Sequence, residues 1–255
     1  MADVAAPGGG FDFGNLMSGG IYKIELLRGA NSVIWGSDAI GGVLAITSDT
    51  DSKYGSNFGI TAETGSRASH AISGHANTGN THASIGVSGG WNKSNGFSSA
   101  LVGTEADGHE QFYLNGRGRV SLSNRIELTA GGRIADSYAE QDGFPPPTYF
   151  AFMDTSEYQK SRSWSAYASG KYQADGFDAK LGYAISDTNR DSFDPSFGID
   201  PTFSSKGRSE RIGLNGNIYL NRDSSIKLGA ENVHDSYQTG PFGSSGSTGS
   251  KGAYV

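Results

Sequence analysis

The chain has 255 residues and a formal net charge of -6, with 39 Gly, 13 Phe, 12 Tyr and no Cys. A hydrophobic share of 35% is too low for an ordinary soluble core of this length, whereas 11% aromatics is too high for a disordered chain, and no disulfide can staple the fold. A transmembrane β-barrel removes the conflict. Its wall needs an apolar residue only at every second position, tolerates Gly and Ser, and collects Tyr, Phe and Trp at the two membrane interfaces. No run approaches the roughly 18 apolar residues of a membrane helix. The mild acidic balance gives no support for a nucleic-acid partner, and the lack of Cys suits an oxidising compartment such as the periplasm.

In chain order, Met1–Gly10 has neither a basic start nor a long apolar stretch, so no secretory signal is visible there. The segment Ile21–Leu27 places Ile21, Ile24, Leu26 and Leu27 around Lys23 and Glu25 and stops at Arg28-Gly29, which predicts a short strand. Gly36, Gly41 and Gly42 punctuate the loop that follows. Val43–Ile46 is then an apolar run short enough for a buried strand. By these residues alone an ordinary α+β turn region also fits. A dinucleotide loop does not, because no G-x-G-x-x-G precedes a helix.

From residue 54 onward a period of two persists and a period of 3.6 is nowhere convincing. About nine strands are predicted. The apolar sets are Phe58/Ile60/Ala62, then Ala68/His70/Ile72/Gly74, then Ala83/Ile85/Val87/Trp91. Phe112/Leu114/Val120/Leu122 and Ile126/Leu128/Ala130/Ile134 follow across a tight turn at Ser123-Asn124. Trp164/Ala166/Ala168/Tyr172 turns at Ala174-Asp175-Gly176 into Phe177/Ala179/Leu181/Tyr183/Ile185. Ile212/Leu214/Ile218/Leu220 pairs with Ile226/Leu228/Ala230, and Gly240–Val255 reads as a loop.

The opposite faces carry Arg117, Arg119, Arg125, Glu127, Arg133, Lys171, Lys180 and Arg211, a polar lining suited to a wet lumen. Short turns alternate with connections of about twenty residues at 92–111, 138–162 and 186–207, the asymmetry of periplasmic turns and extracellular loops. A β-sandwich or a β-solenoid has the same alternation. A structural or adhesive surface protein is therefore the second reading of the strands.

The stretch IYKIELLRGANSVIWGSDAIGGVLAITS, Ile21–Ser48, closely resembles the end of the plug domain of TonB-dependent outer-membrane receptors. That resemblance implies a mainly β fold in which residues 1–53 are the C-terminal part of a plug and residues 54–255 are the first strands of an incomplete 22-stranded transmembrane barrel. It implies energy-coupled uptake of a scarce nutrient such as cobalamin or an iron-siderophore, with no enzymatic activity and no required cofactor. The partners would be a small metal chelate, outer-membrane lipid and, for the full-length parent, the TonB complex. Pro7–Phe13 is similar to the vitamin B12 receptor branch, so Gly8, Gly9, Gly10 and Phe11 are expected to face ligand. Glu25 and Arg28 match plug residues that tie plug to wall by charge.

Nine strands do not close so large a barrel, and the motif lies close to the amino terminus, so the chain is expected to be part of a longer receptor. Alone it should neither insert stably nor transport. A compact, heat-modifiable monomer in an outer-membrane fraction of expressing cells would sink that expectation.

Asp187, Asp191, Asp194 and Asp200 place four carboxylates in one expected extracellular loop, where calcium is a candidate ligand, although the EF-hand pattern fails at Ser192 and Gly198. The His residues at 70, 75, 82, 109 and 234 lack metal-ligand spacing. No nucleophile motif points to an enzyme. The aromatic, proline-stiffened run from Phe144 to Met153 suits either ligand capture or packing among loops.

Overall fold

The computed structural model describes residues 4–5, 16–17, 21–29, 41–48, 55–101, 103–147, 149–241 and 243–254. All regular structure in them is β. Two strands, β1 (Ile21–Arg28) and β2 (Gly42–Ser48), form an antiparallel hairpin in which Ile24 faces Ile46 and Leu26 faces Leu44. The predicted strand and apolar run are thus partners.

Ten further strands form one antiparallel meander in strict chain order. They are β3 (Gly55–Gly65), β4 (Ser69–Gly79), β5 (Ala83–Phe97), β6 (Asp107–Ser123), β7 (Ile126–Gly143), β8 (Met153–Ala174), β9 (Phe177–Phe193), β10 (Phe203–Tyr219), β11 (Ser225–Gly240) and β12 (Ser245–Tyr254). Every strand pairs with its sequence neighbours, while β3 and β12 are the sheet's two edges among the described residues. The expected count of nine is corrected to ten. Gly240–Val255 holds a strand rather than a loop, because Ser245–Tyr254 pairs by backbone with β11 without any apolar alternation to announce it.

The three long connections are also shorter than expected. They run over 98–106, 144–152 and 194–202, since β5 to β10 continue well past the apolar part of their pattern. β8 is 22 residues long, about twice what a tilted strand needs to cross a bilayer. Its second half, from Trp164, carries the apolar alternation, and its first half is mostly polar.

Burial in the sheet is inverted relative to a soluble protein. On β5, Ile85 is 64% and Val87 45% exposed, whereas Ser84 is 7% and Ser88 1% exposed. The register carries this across the sheet: Val87, Leu114, Ile134, Trp164, Leu181 and Leu214 share one open face, and Ser88, Asn115, Arg133 and Ser165 share the crowded one. An apolar face left open over so many strands marks a surface that meets lipid or another apolar partner. Trp91, Phe112, Trp164 and Tyr183 border this open band on one side, and the tilted ring pair Tyr172 and Phe177 borders it on the other.

Abundant glycine has a packing reason on the crowded face. Gly90 lies opposite Tyr113, and a Cβ there would meet the Tyr113 ring at 2.7 Å. Gly131 likewise lies under Tyr167. Gly229 and Gly246 repeat the arrangement with Tyr254 and Tyr237. Each aromatic ring covers a neighbour that has no side chain, a device that pins register.

Turns at one end of the sheet are tight, at 80–82, 124–125, 175–176 and 220–224. Asn80 Oδ1 accepts from the His82 and Ala83 amides, and Ser123 Oγ accepts from the Arg125 and Ile126 amides. At the other end the β3–β4 turn puts Arg67 (φ 59°) and Ala68 (φ 49°) in the left-handed region. Hairpins of this mirror-image type favour Asn-Gly, and a Cβ there costs about 1–2 kcal/mol per residue. Ala68→Gly is therefore expected to raise stability by about 1 kcal/mol, read as a higher urea midpoint of the detergent-held chain. Arg67 keeps its place through its guanidinium, which lies 4.7 Å from the centre of the Phe97 ring.

Candidate functional site: the inward face and the long-loop rim

The crowded, inward face divides into two zones along the strands. Near the tight turns it is charged and hydrogen-bonded. Arg119 pairs with Glu127 at 3.4 Å and Arg211 with Glu231 at 3.7 Å. Asp178 accepts from Asn217 and from the Tyr219 hydroxyl, and the Tyr254 hydroxyl donates to Asn215. The polar lining expected from the sequence is thus assembled on one surface, although Arg125 sits in the β6–β7 turn rather than on a strand.

Toward the long loops the same face changes to small hydroxyls. Register rows place Ser137 beside Ser161, Arg190 and Ser205, and place Ser163 beside Thr188. Ser165 and Ser186 pair in the next row. Small side chains leave room, and hydroxyls both donate and accept. Small hydroxyls set around the Arg190 and Arg133 cations leave room for a polar solute, and the face nearer the tight turns is charged.

The rim above is built by carboxylates that accept from loop backbone. Asp142 of β7, 9% exposed, accepts from the buried Ala100 amide at 2.7 Å and from Thr155 at 3.3 Å. Asp154 at the start of β8 accepts from the Thr104 and Glu105 amides at 2.6 and 3.0 Å and from Ser98 Oγ at 3.0 Å. Asp107 accepts from the Ser99 amide at 2.6 Å. Connection 98–106 is thus folded down onto three strands. Leu101 is fully exposed there, and Phe144, Phe150 and Phe197 of the 144–152 and 194–202 connections are exposed as well.

Backbone donation, first from Glu105 and then from Thr104, holds the Asp154 carboxyl below the usual aspartate range. Partial desolvation and then the charges of Asp154 and Asp142 raise that of Glu105. These anchors escaped the sequence reading. An isolated Asp in a strand gives no sign that it will meet the backbone of a loop more than forty residues away.

The candidate residues fare differently. Gly8, Gly9, Gly10 and Phe11 lie outside the described residues. Glu25 and Arg28 lie on β1, where Glu25 pairs with Lys23 of its own strand at 2.7 Å, and neither makes an ion pair with a described wall residue. Asp187 and Asp191 are corrected from loop to strand, both on the outward side of β9. Asp194 closes the turn after that strand by accepting from Ser196, and Asp200 stands in the 194–202 connection. The four do not converge. Among the described residues no group of three His, Asp or Glu could hold a metal. His75 bonds Asn57 on the inward face and His82 sits in the turn before β5, so the two do not form a pair.

No family model and no curated relative matches the sequence. Solved structures do match the fold. The siderophore receptor PirA from Pseudomonas aeruginosa superposes with a TM-score of 0.68 at 14% identity, over 91% of this chain and 39% of that one. The likeness is one of fold. BauA, the ferric preacinetobactin receptor from Acinetobacter baumannii, gives 0.60 at 12% identity, over 93% of this chain and 50% of its own. The siderophore receptor PiuA from the same species gives 0.65 at 10% identity, over 86% and 36%. The chain therefore spans between about a third and a half of the structures it matches.

Proposed function

We propose that this chain is the end of a plug and the leading part of the barrel wall of a TonB-dependent outer-membrane receptor, and that the receptor takes up a scarce metal chelate. The observation that carries the reading is the inverted sheet: ten meandering strands with an open apolar band, an inward polar face and one end of long connections. The plug-like motif of residues 21–48 and the likeness to receptors named for siderophores support it. An iron-siderophore is favoured on that second ground, with cobalamin the alternative raised by Pro7–Phe13. The receptor needs no enzyme chemistry and no cofactor of its own.

Within this reading the hydroxyl zone passes the solute and the aromatic rim captures it. The charged zone near the tight turns holds the plug, through Glu25 and Arg28 among others.

Sequencing the gene to either side tests the proposal. The expected result is a secretory signal and a TonB-recognition segment upstream and about a dozen further alternating strands downstream. Flanks that encode repeats of the same strands without either signal would point instead to an adhesive solenoid.

A further inference from the structure

One inward register row holds both Tyr113 of β6 and Tyr237 of β11. The two rings lean apart. A Cβ on Gly90 of β5 would lie 2.7 Å from the Tyr113 ring, and one on Gly246 of β12 would lie 2.8 Å from the Tyr237 ring. Between the tyrosines the row carries only short side chains, Ala135, Ser163, Thr188 and Gly207, which form the floor of a trough about 14 Å wide at ordinary strand spacing.

The Gly207 end of this trough is filled by the chain itself. A Cβ on Gly207 would lie 2.3 Å from the Ala5 nitrogen, 2.6 Å from the Val4 carbonyl carbon and 2.9 Å from the Ala5 Cα. All three are backbone atoms, so no side-chain rotation relieves the contact, and a side chain at 207 and a peptide at 4–5 cannot share the space. Ala5 is 5% exposed, and Gly207 is buried. Gly213 lies inward on the same strand, and there a Cβ would meet nothing nearer than 3.9 Å.

We propose that the trough is a seat for polypeptide backbone, that Val4–Ala5 is the segment it holds, and that Gly207 is the residue that admits it. The seat works by close packing of main chain on main chain, not by the charge pairing of the zone near the tight turns. Resting on the receptor reading above, it also puts the segment in the rows that the solute crosses, between the Ser161–Arg190 pair and the Ser165–Ser186 pair. Release from Gly207 clears those rows.

The chain has no Cys, so a single thiol can be placed in it. The test is the rate at which a water-soluble maleimide labels Ala5→Cys and, separately, Thr188→Cys in the full chain held in maltoside micelles. Ala5→Cys should react far more slowly than in the urea-unfolded chain. Gly207→Val, a residue that suits a strand, should speed labelling of both thiols roughly tenfold by keeping the segment off its seat, whereas Gly213→Val should leave both rates as they are. Labelling of Ala5→Cys at the unfolded rate, unchanged rates with Gly207→Val, or equal acceleration by both valines overturns the seat. Acceleration at Ala5→Cys alone keeps the seat and overturns the clearing of the solute rows. Flotation with lipid vesicles reads the wall separately: a chain that labels as expected but does not float overturns the receptor reading and leaves the seat standing.

Discussion

Leu181→Arg should weaken association of the chain with phosphatidylcholine vesicles by about 2–4 kcal/mol, whereas Ser169→Arg should leave it nearly unchanged. The two sites lie on β8 and β9 within one register step of each other. Leu181 is 54% exposed at mid-height of the open band, with Leu214 as its partner on β10. Ser169 faces inward. In a soluble sheet the ranking would be reversed, because the open face would be the tolerant one. Flotation of each variant with vesicles gives the partition directly, and an equal loss at both positions would show that the open face does not meet lipid.

Association differs from closed insertion. The outer edges of β3 and β12 carry backbone groups that no described strand satisfies, and each such group costs several kcal/mol in hydrocarbon.

Legibility in the sequence followed side-chain alternation. β6, β7 and β9 were readable in their lower halves because Leu114, Leu128 and Leu181 alternate with charges or small polar residues. Their upper halves read as loops because both faces turn polar there, as at Asp187–Asp191, where Thr188 and Arg190 face inward and the aspartates outward. Pairing of those halves is a matter of backbone register carried up from the apolar part, which no local pattern reports. β12 is the extreme case, since Ser245–Tyr254 is a strand only because β11 is beside it.

The carboxylate anchors were illegible for a related reason: Asp142 and Ala100 meet only after three strands have paired. Composition, by contrast, reported the all-β fold with its unusual distribution of apolar residues. Open apolar and crowded polar faces need few aliphatics, and glycine opposite tyrosine recurs along the inward face.

Asp142→Ala is expected to release connection 98–106 while leaving the sheet intact. The substitution strands the buried Ala100 amide without its acceptor, a loss of about 1–3 kcal/mol, and also removes the acceptor for Thr155. Hydrogen exchange should show protection lost at Ala100 and Thr104 but kept at strand amides such as Leu128. Uniform loss would mean that Asp142 supports the sheet instead.

The pH dependence has opposing parts. Asp154, its carboxyl depressed by the Glu105 and Thr104 amides, contributes loop stability that is present above the ordinary aspartate range and is lost as pH falls through the depressed value. Glu105, raised by desolvation and by Asp154 and Asp142, acts the other way. In the window above the ordinary glutamate value it binds more proton folded than unfolded, so stability falls as pH rises through that window. Connection 98–106 should accordingly be best protected at mildly acidic pH. Glu105→Gln should remove the decline toward neutrality and leave only the acid loss, a change of shape that a purely structural role for residue 105 would not produce.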